Sequence, residues 1–237
     1  MRSNSTYIIT IDGTSGSGKT TISKSLAKKL GFRLLDSGRL YRAAGFVYLQ
    51  SKESFSDFHS IKGVISKITI SSKEDSNEFE ICFDNKKIDH SLYSEEVSES
   101  ASIVSKLPEV RECMMKVQKL CVKGRGLIAN GRDMGTEVFP EANLKLYVNA
   151  SLDIRAKRRY EELKSKGEDV NLENIYKSLQ KRDESDTNRT ISPLRVPDNA
   201  EIIDTSDLKP DAIVDKILNL YTITTVSYTH LTLPTKA

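Results

Sequence analysis

Residues 13–20 read GTSGSGKT, a full match to G-x-x-x-x-G-K-[ST], and the stretches on either side decide what the match means. Upstream, Tyr7 to Ile11 is a short apolar run of strand character; downstream, Ile22, Leu26, Ala27 and Leu30 recur at helical spacing. Gly13, Gly16 and Gly18 let the chain turn tightly enough for successive N–H groups to face one anion at the positive end of the following helix. Thr14, Ser15 and Ser17 complete the cradle, and Lys19 supplies a mobile charge to β and γ phosphates. Thr20 places a hydroxyl within reach of Mg²⁺, and Thr21 adds a phosphate contact. A nucleoside triphosphate such as ATP is the expected guest. The acceptor stays open, because ATPases, GTPases and small-molecule kinases share this loop.

Outward from the loop, the chain reads as an α/β protein with a parallel sheet covered on both faces. Phe32 to Leu35, Leu127 to Asn130, Leu144 to Val148 and Ile202 to Ile203 join the first run as buried strands, making five. Helices are expected over Ser37 to Gln50, from Pro108 to near Gly124, and over about Ser151 to Ser165, Leu172 to Glu184 and Pro210 to Leu220. From about Ser54 to Ala101 the texture turns to Ser, Lys, Glu and Asp. Short alternating stretches at Lys67 to Ser71, Glu78 to Phe83 and Lys86 to Ile88, with a turn at Asp84-Asn85, predict an inserted small antiparallel sheet. The stretch from Thr222 to Ala237 has no helical period and looks like read-through rather than evolved protein, so it is set apart from the domain.

Composition narrows the function classes. Thirty-six Lys+Arg against 33 Asp+Glu give a charge of +3, short of what a dedicated nucleic-acid binder carries, so anion binding must be local. Cys82, Cys113 and Cys121 form no CxxC pair and support neither a disulfide framework nor a zinc site. No signal core and no spanning segment is visible, which predicts a cytoplasmic protein with no membrane partner.

Three polar clusters bear on the acceptor. LDSGRLYR (35–42) and NGRDMGTEVFP (130–140) follow strand ends, where ligands bind in open parallel sheets, and KRDESDTNRT (181–190) ends a helix. Together with the phosphate loop, these segments resemble bacterial cytidylate kinase of the nucleoside monophosphate kinase family, collinearly from Tyr7 to about Leu220, with residues 7–221 as the domain. The resemblance implies ATP as donor, CMP or dCMP as acceptor, Mg²⁺ as cofactor and a monomer. It implies that Ser37, Tyr41, Arg42, Arg111, Arg132, Asp133, Arg182, Asp186 and Arg189 form the CMP site. It also implies an insert over about 63–102 and a short lid over about 155–171, carrying Arg155, Arg158 and Arg159.

Chemistry gives these assignments a reason. An acceptor monophosphate carries close to two negative charges and suits forked guanidinium groups. Asp133 with Arg132, helped by Ser37, offers the acceptor and donors that a cytosine edge requires. Lys19, Arg132, Arg158, Arg159 and Arg182 are the expected catalytic cations, with Arg158 and Arg159 meeting the transferring group from the lid. The acceptor phosphate, whose second pKa is about 6, is its own nucleophile, so His59, His90 and His230 need no catalytic role. Two residues depart from the family's usual pattern: Thr20 where a glycine is common, and Asn130 where an acid often stands. A switch GTPase would need a guanine-reading N/T-K-x-D segment, which is absent from the sequence, and an RNA-binding face on the 155–159 helix would need more aromatic residues than Tyr160.

Overall fold

The computed structural model describes residues 6–51, 55, 57–72 and 76–231. Expectations for residues 1–5 and 232–237 lie outside them. Strand β1 (Tyr7–Asp12) is the middle of a five-stranded parallel sheet ordered β2-β6-β1-β7-β8, with β2 Arg33–Asp36, β6 Gly126–Asn130, β7 Leu144–Asn149 and β8 Glu201–Asp204. All five strands anticipated from the apolar runs are present.

Alternation along these strands builds two cores. Ile8, Leu35, Leu127 and Ala129 face one side, where they meet α2 (Ser37–Gln50) and α5 (Pro108–Lys119). Ile9, Ile11, Leu34 and Ile128 face the other, against Ile22 and Leu26 of α1 (Lys19–Leu30) and Ile213, Val214 and Ile217 of α8 (Pro210–Leu231). Cys113 and Cys121 are buried in the first of these cores. A smaller cluster of Ala156, Ile175 and Leu179 joins α6 (Leu152–Ser165) to α7 (Leu172–Asn188).

The polar stretch holds the expected antiparallel sheet, β3 (Ile68–Ser72), β4 (Phe79–Phe83) and β5 (Lys86–Lys87). Asp84 and Asn85 adopt φ of 49° and 61°, the left-handed pair of a tight hairpin turn. Two helices there were not anticipated. Asp57 caps α3 (Phe58–Ile65), accepting from His59 N at 2.9 Å and Ser60 N at 3.0 Å. Ser94 caps α4 (Glu95–Val104), accepting from Val97 N at 3.2 Å.

The insertion is bolted to the main sheet. Leu34 N donates to Asn77 O at 2.8 Å, extending edge strand β2, while the Asn77 amide donates to Phe32 O at 2.7 Å. Arg39 of α2 binds Glu78 at 2.9 Å and also Asp89. The last helix differs from expectation: α8 runs to Leu231 rather than ending near Leu220. Tyr221 stacks edge-on against Tyr7 and Phe32, and Thr224 shares a 2.6 Å hydrogen bond with the Tyr7 hydroxyl.

Helix α4 approaches α2 most closely at Gly45, where a Cβ would lie 2.5 Å from Ala101 N and 2.9 Å from Val97 O. Gly45→Ala therefore forces two backbones apart. Equilibrium urea unfolding should show a loss of about 1–3 kcal/mol from overpacking, even though alanine gains about 1 kcal/mol of helix propensity.

Candidate active site

The loop after β1 is braced from behind. Lys19 Nζ and Ser17 Oγ both donate to Thr14 O, the latter at 3.0 Å. Arg155 Nη1 donates to Ser15 O at 3.0 Å, and Thr205 Oγ1 donates to Ser17 O at 3.0 Å. With these carbonyls engaged, the loop's N–H groups remain for an anion. Gly13 passes so close to β7 that a Cβ there would sit 1.8 Å from Val148 O, and Gly18 enters α1 at φ 85°. Lys19 is 6% exposed. Burial first, then the Arg132 guanidinium, hold its pKa well below the ordinary value, opposed by Asp12.

Thr14 Oγ1 donates to Asn149 Oδ1 at 2.9 Å, and Gly16 lies against Arg155. Thr20 and Thr21 are exposed at the head of α1, where the Thr20 hydroxyl accepts from Asn130 Nδ2 at 3.2 Å.

The acceptor candidates converge on the carboxyl edge of the sheet. Arg132 and Asp133 are adjacent in sequence but turn to different partners. Arg132 Nε donates to Asp186 Oδ2 at 2.9 Å, whereas Asp133 pairs with Arg111 and lies 3.9 Å from Arg189. The sequence reading joined Asp133 to Arg132; in the structure Arg111 is its partner. Asp133 caps no helix: its side chain makes no bond to the turn that follows it.

Arg111 is 5% exposed, donates also to Ser105 O at 3.3 Å, and lies over the Tyr41 ring at 5.5 Å. Burial and the Asp133 carboxylate push the Tyr41 hydroxyl pKa upward. Ser37 is buried and accepts from Gln118 Nε2 at 2.9 Å. Arg42 donates to Leu92 O at 3.0 Å; burial first, then the Arg159 guanidinium, lower its pKa.

Like charges crowd here. Burial, followed by the neighbouring Arg132, lowers the Arg182 pKa to about 10. Burial also depresses Arg189, which Asp133 opposes and Arg111 reinforces. Burial pushes the Asp186 carboxyl upward, but Arg132, Arg182 and Arg189 outweigh it and hold the group below the usual carboxylate range.

On the helix that carries the expected lid arginines, the three side chains part company. Arg155 is buried, bonded to the phosphate loop and to Ala150 O at 2.9 Å, and ion-paired to Asp183 at 2.6 Å. Arg158 is committed to Thr205, at 2.6 Å from its carbonyl and 3.1 Å from its hydroxyl. Arg159 is exposed and paired with Glu162 at 2.9 Å, within electrostatic reach of Arg42. The structure thus brings Arg155 to the loop and leaves Arg158 beside β8.

Sequence reasoning also passed over Asp12 and Gln118. Asp12 is fully buried and accepts from Met134 N at 2.8 Å and Gly135 N at 2.7 Å. Burial pushes its pKa up to about 6, and the two amides oppose that shift. A carboxylate closing an otherwise apolar strand, YIITID, was a readable signal, as was a buried glutamine on the apolar stripe of α5.

A phosphate loop between β1 and α1, facing cations at the carboxyl edge of a parallel sheet, defines a P-loop kinase. The family model for cytidylate kinase matches residues 9–223. The chain is similar to cytidylate kinase of Caldanaerobacter subterraneus subsp. tengcongensis (39% identity, 90% of this chain and 94% of that protein) and to that of Carboxydothermus hydrogenoformans (39%, 90% and 96%). The Actinobacillus succinogenes cytidylate kinase is 38% identical over 89% of this chain and 96% of its own length. The chain belongs to the cytidylate kinase family. No helix among the described residues is long and apolar enough to cross a membrane.

The different settings of the α6 arginines have separable consequences. Arg155→Ala strands Asp183 beside the loop and should cost about 3 kcal/mol in denaturant unfolding. Arg159→Ala, losing a surface pair, should stay within about 0.5 kcal/mol.

Proposed function

We propose that this protein transfers the γ-phosphoryl group of ATP to CMP or dCMP, giving ADP and CDP or dCDP, as a cytoplasmic monomer. The observation that carries this reading is electrostatic: Arg111 and Arg189 share Asp133, and Arg132 and Arg182 share Asp186, opposite a buried Lys19. Four guanidinium groups on two carboxylates leave a surplus of positive charge, and binding a dianionic acceptor phosphate relieves their mutual repulsion. The free thiols of Cys82, Cys113 and Cys121 suit a reducing compartment.

An acceptor phosphate oxygen attacks the γ-phosphorus in line, and no protein base is required. Lys19, Arg132 and Arg182 offset charge spreading over the transferring group, while Arg42 and Arg189 hold the acceptor. Arg159, near Arg42, is the lid arginine best placed to reach them. Asp133, Arg111 and Ser37 read the cytosine edge, with Gln118 fixing the Ser37 hydroxyl.

The site also fits Mg²⁺ carried in with ATP. Among the described residues no cluster of three His, Cys, Asp or Glu side chains gathers. The exposed Thr20 hydroxyl, beside Asn130, is the donor on offer, which suits an ion held mostly by phosphate and water. Held there by the Thr20 hydroxyl and the donor's phosphates, Mg²⁺ would supply positive charge to offset the charge that develops during transfer.

We also assign the catalytic unit to residues 7–221 and place 222–237 outside it, a division supported by a family match that stops at residue 223. Truncation after Tyr221 removes the Tyr7–Thr224 hydrogen bond, worth about 1 kcal/mol. It should leave turnover unchanged, and a large fall in melting temperature would sink the division. A coupled assay of ATP consumption across nucleoside monophosphates should show CMP and dCMP preferred. Asp133→Asn should shrink the CMP-over-UMP preference by at least about tenfold, and undiminished selectivity would remove Asp133 from base reading.

A further inference from the structure

The phosphate loop and the Gly131–Asp133 segment belong to different strands, yet in-line transfer requires that they keep a fixed separation. Strands β1 and β6 run side by side, with Ile11 opposite Asn130, and Gly131 N donates to Ile11 O at 3.0 Å. The chain then enters a turn, Met134–Val138, closed by bonds from Val138 N to Asp133 O at 3.2 Å and from Phe139 N to Met134 O at 2.7 Å. The first amides of such a turn have no partner within it. Asp133, the residue placed to cap them, is committed to Arg111 instead.

We infer that Asp12 is a positioning residue that locks the acceptor-binding loop to the donor-binding loop, its carboxylate capping the Met134 and Gly135 amides from the end of the strand that launches the phosphate cradle. The contact is built for this. Asp12 is fully buried, and each carboxylate oxygen takes one amide, at 2.8 and 2.7 Å. Gly135 makes the approach possible, since a Cβ there would lie 2.8 Å from Thr10 Oγ1 and 3.0 Å from Pro197 Cγ. Asp12 also faces Lys19, so the same charge steadies the donor's cation and the acceptor's turn. Asparagine at this position keeps the shape but presents an N–H₂ group to one amide in place of an acceptor.

The inference rests on CMP being the acceptor, so wild-type turnover of CMP is measured first; its absence would overturn the functional reading rather than this one. With that established, steady-state kinetics of Asp12→Asn should show KM for CMP raised about tenfold or more and kcat reduced, in line with the roughly hundredfold sensitivity of catalysis to misplacement by an ångström. KM for ATP, which feels only the lost charge beside Lys19, should rise severalfold less than KM for CMP. Gly135→Ala, which crowds the same turn against Thr10 and Pro197, should reproduce the split and decides the matter if Asp12→Asn does not fold. Unchanged CMP kinetics in a folded variant, or a parallel rise in both KM values, would overturn the role.

Discussion

At the carboxyl edge of the sheet, Arg132 and Arg182 stand close enough to Lys19 to lower its proton affinity, and Arg132 lowers that of Arg182, with Asp186 as a shared counter-charge. Such crowding is unfavourable in an apolar interior unless the surrounding structure over-determines it. Much of the architecture can be understood as that determination. The central strand places the loop, β6 delivers Arg132, α5 delivers Arg111, and α7 supplies Arg182 and Asp186. Under the proposed function an acceptor phosphate would relieve that same crowding, so strain and binding would have one source.

Bracing of the phosphate loop follows a parallel logic. Each engaged carbonyl is reached from a different part of the chain: Arg155 from α6, Thr205 from just beyond β8, and Lys19 from within the loop. Arg155 also spans to Asp183 on α7, the helix that carries Arg182 and Asp186. The phosphate loop, α6 and α7 thus meet at one buried guanidinium, whereas Arg158 ties α6 to the far edge of the sheet.

The parallel sheet was legible because its strands are near-continuous apolar runs, and the hairpin because Asp84-Asn85 tolerates positive φ. Helices α3 and α4 were not, since each is short and buries few residues in a serine-rich stretch. Their signals lay in the caps, Asp57 and Ser94, the latter followed by Glu95 and Glu96. The acceptor residues were legible as types but not as pairs. Which way Arg132 and Asp133 point depends on the irregular turn after β6, a geometry no periodicity encodes. Likewise Arg155 and Arg158 differ by a rotation that a helix with so few buried positions, Arg155 and Ala156, does not announce.

The insertion is easily taken for an appendage because its sheet is separate. Yet Arg42 rests on its Leu92 carbonyl, Arg39 is gripped by its Glu78 and Asp89, and the glycine notch of α2 is filled by its last helix. The α2 layer that carries Tyr41 and Arg42 is therefore a laminate of host helix and inserted segment. A change in the outer layer that moves Leu92, Glu78 or Asp89 is thereby passed to the side chains that α2 carries.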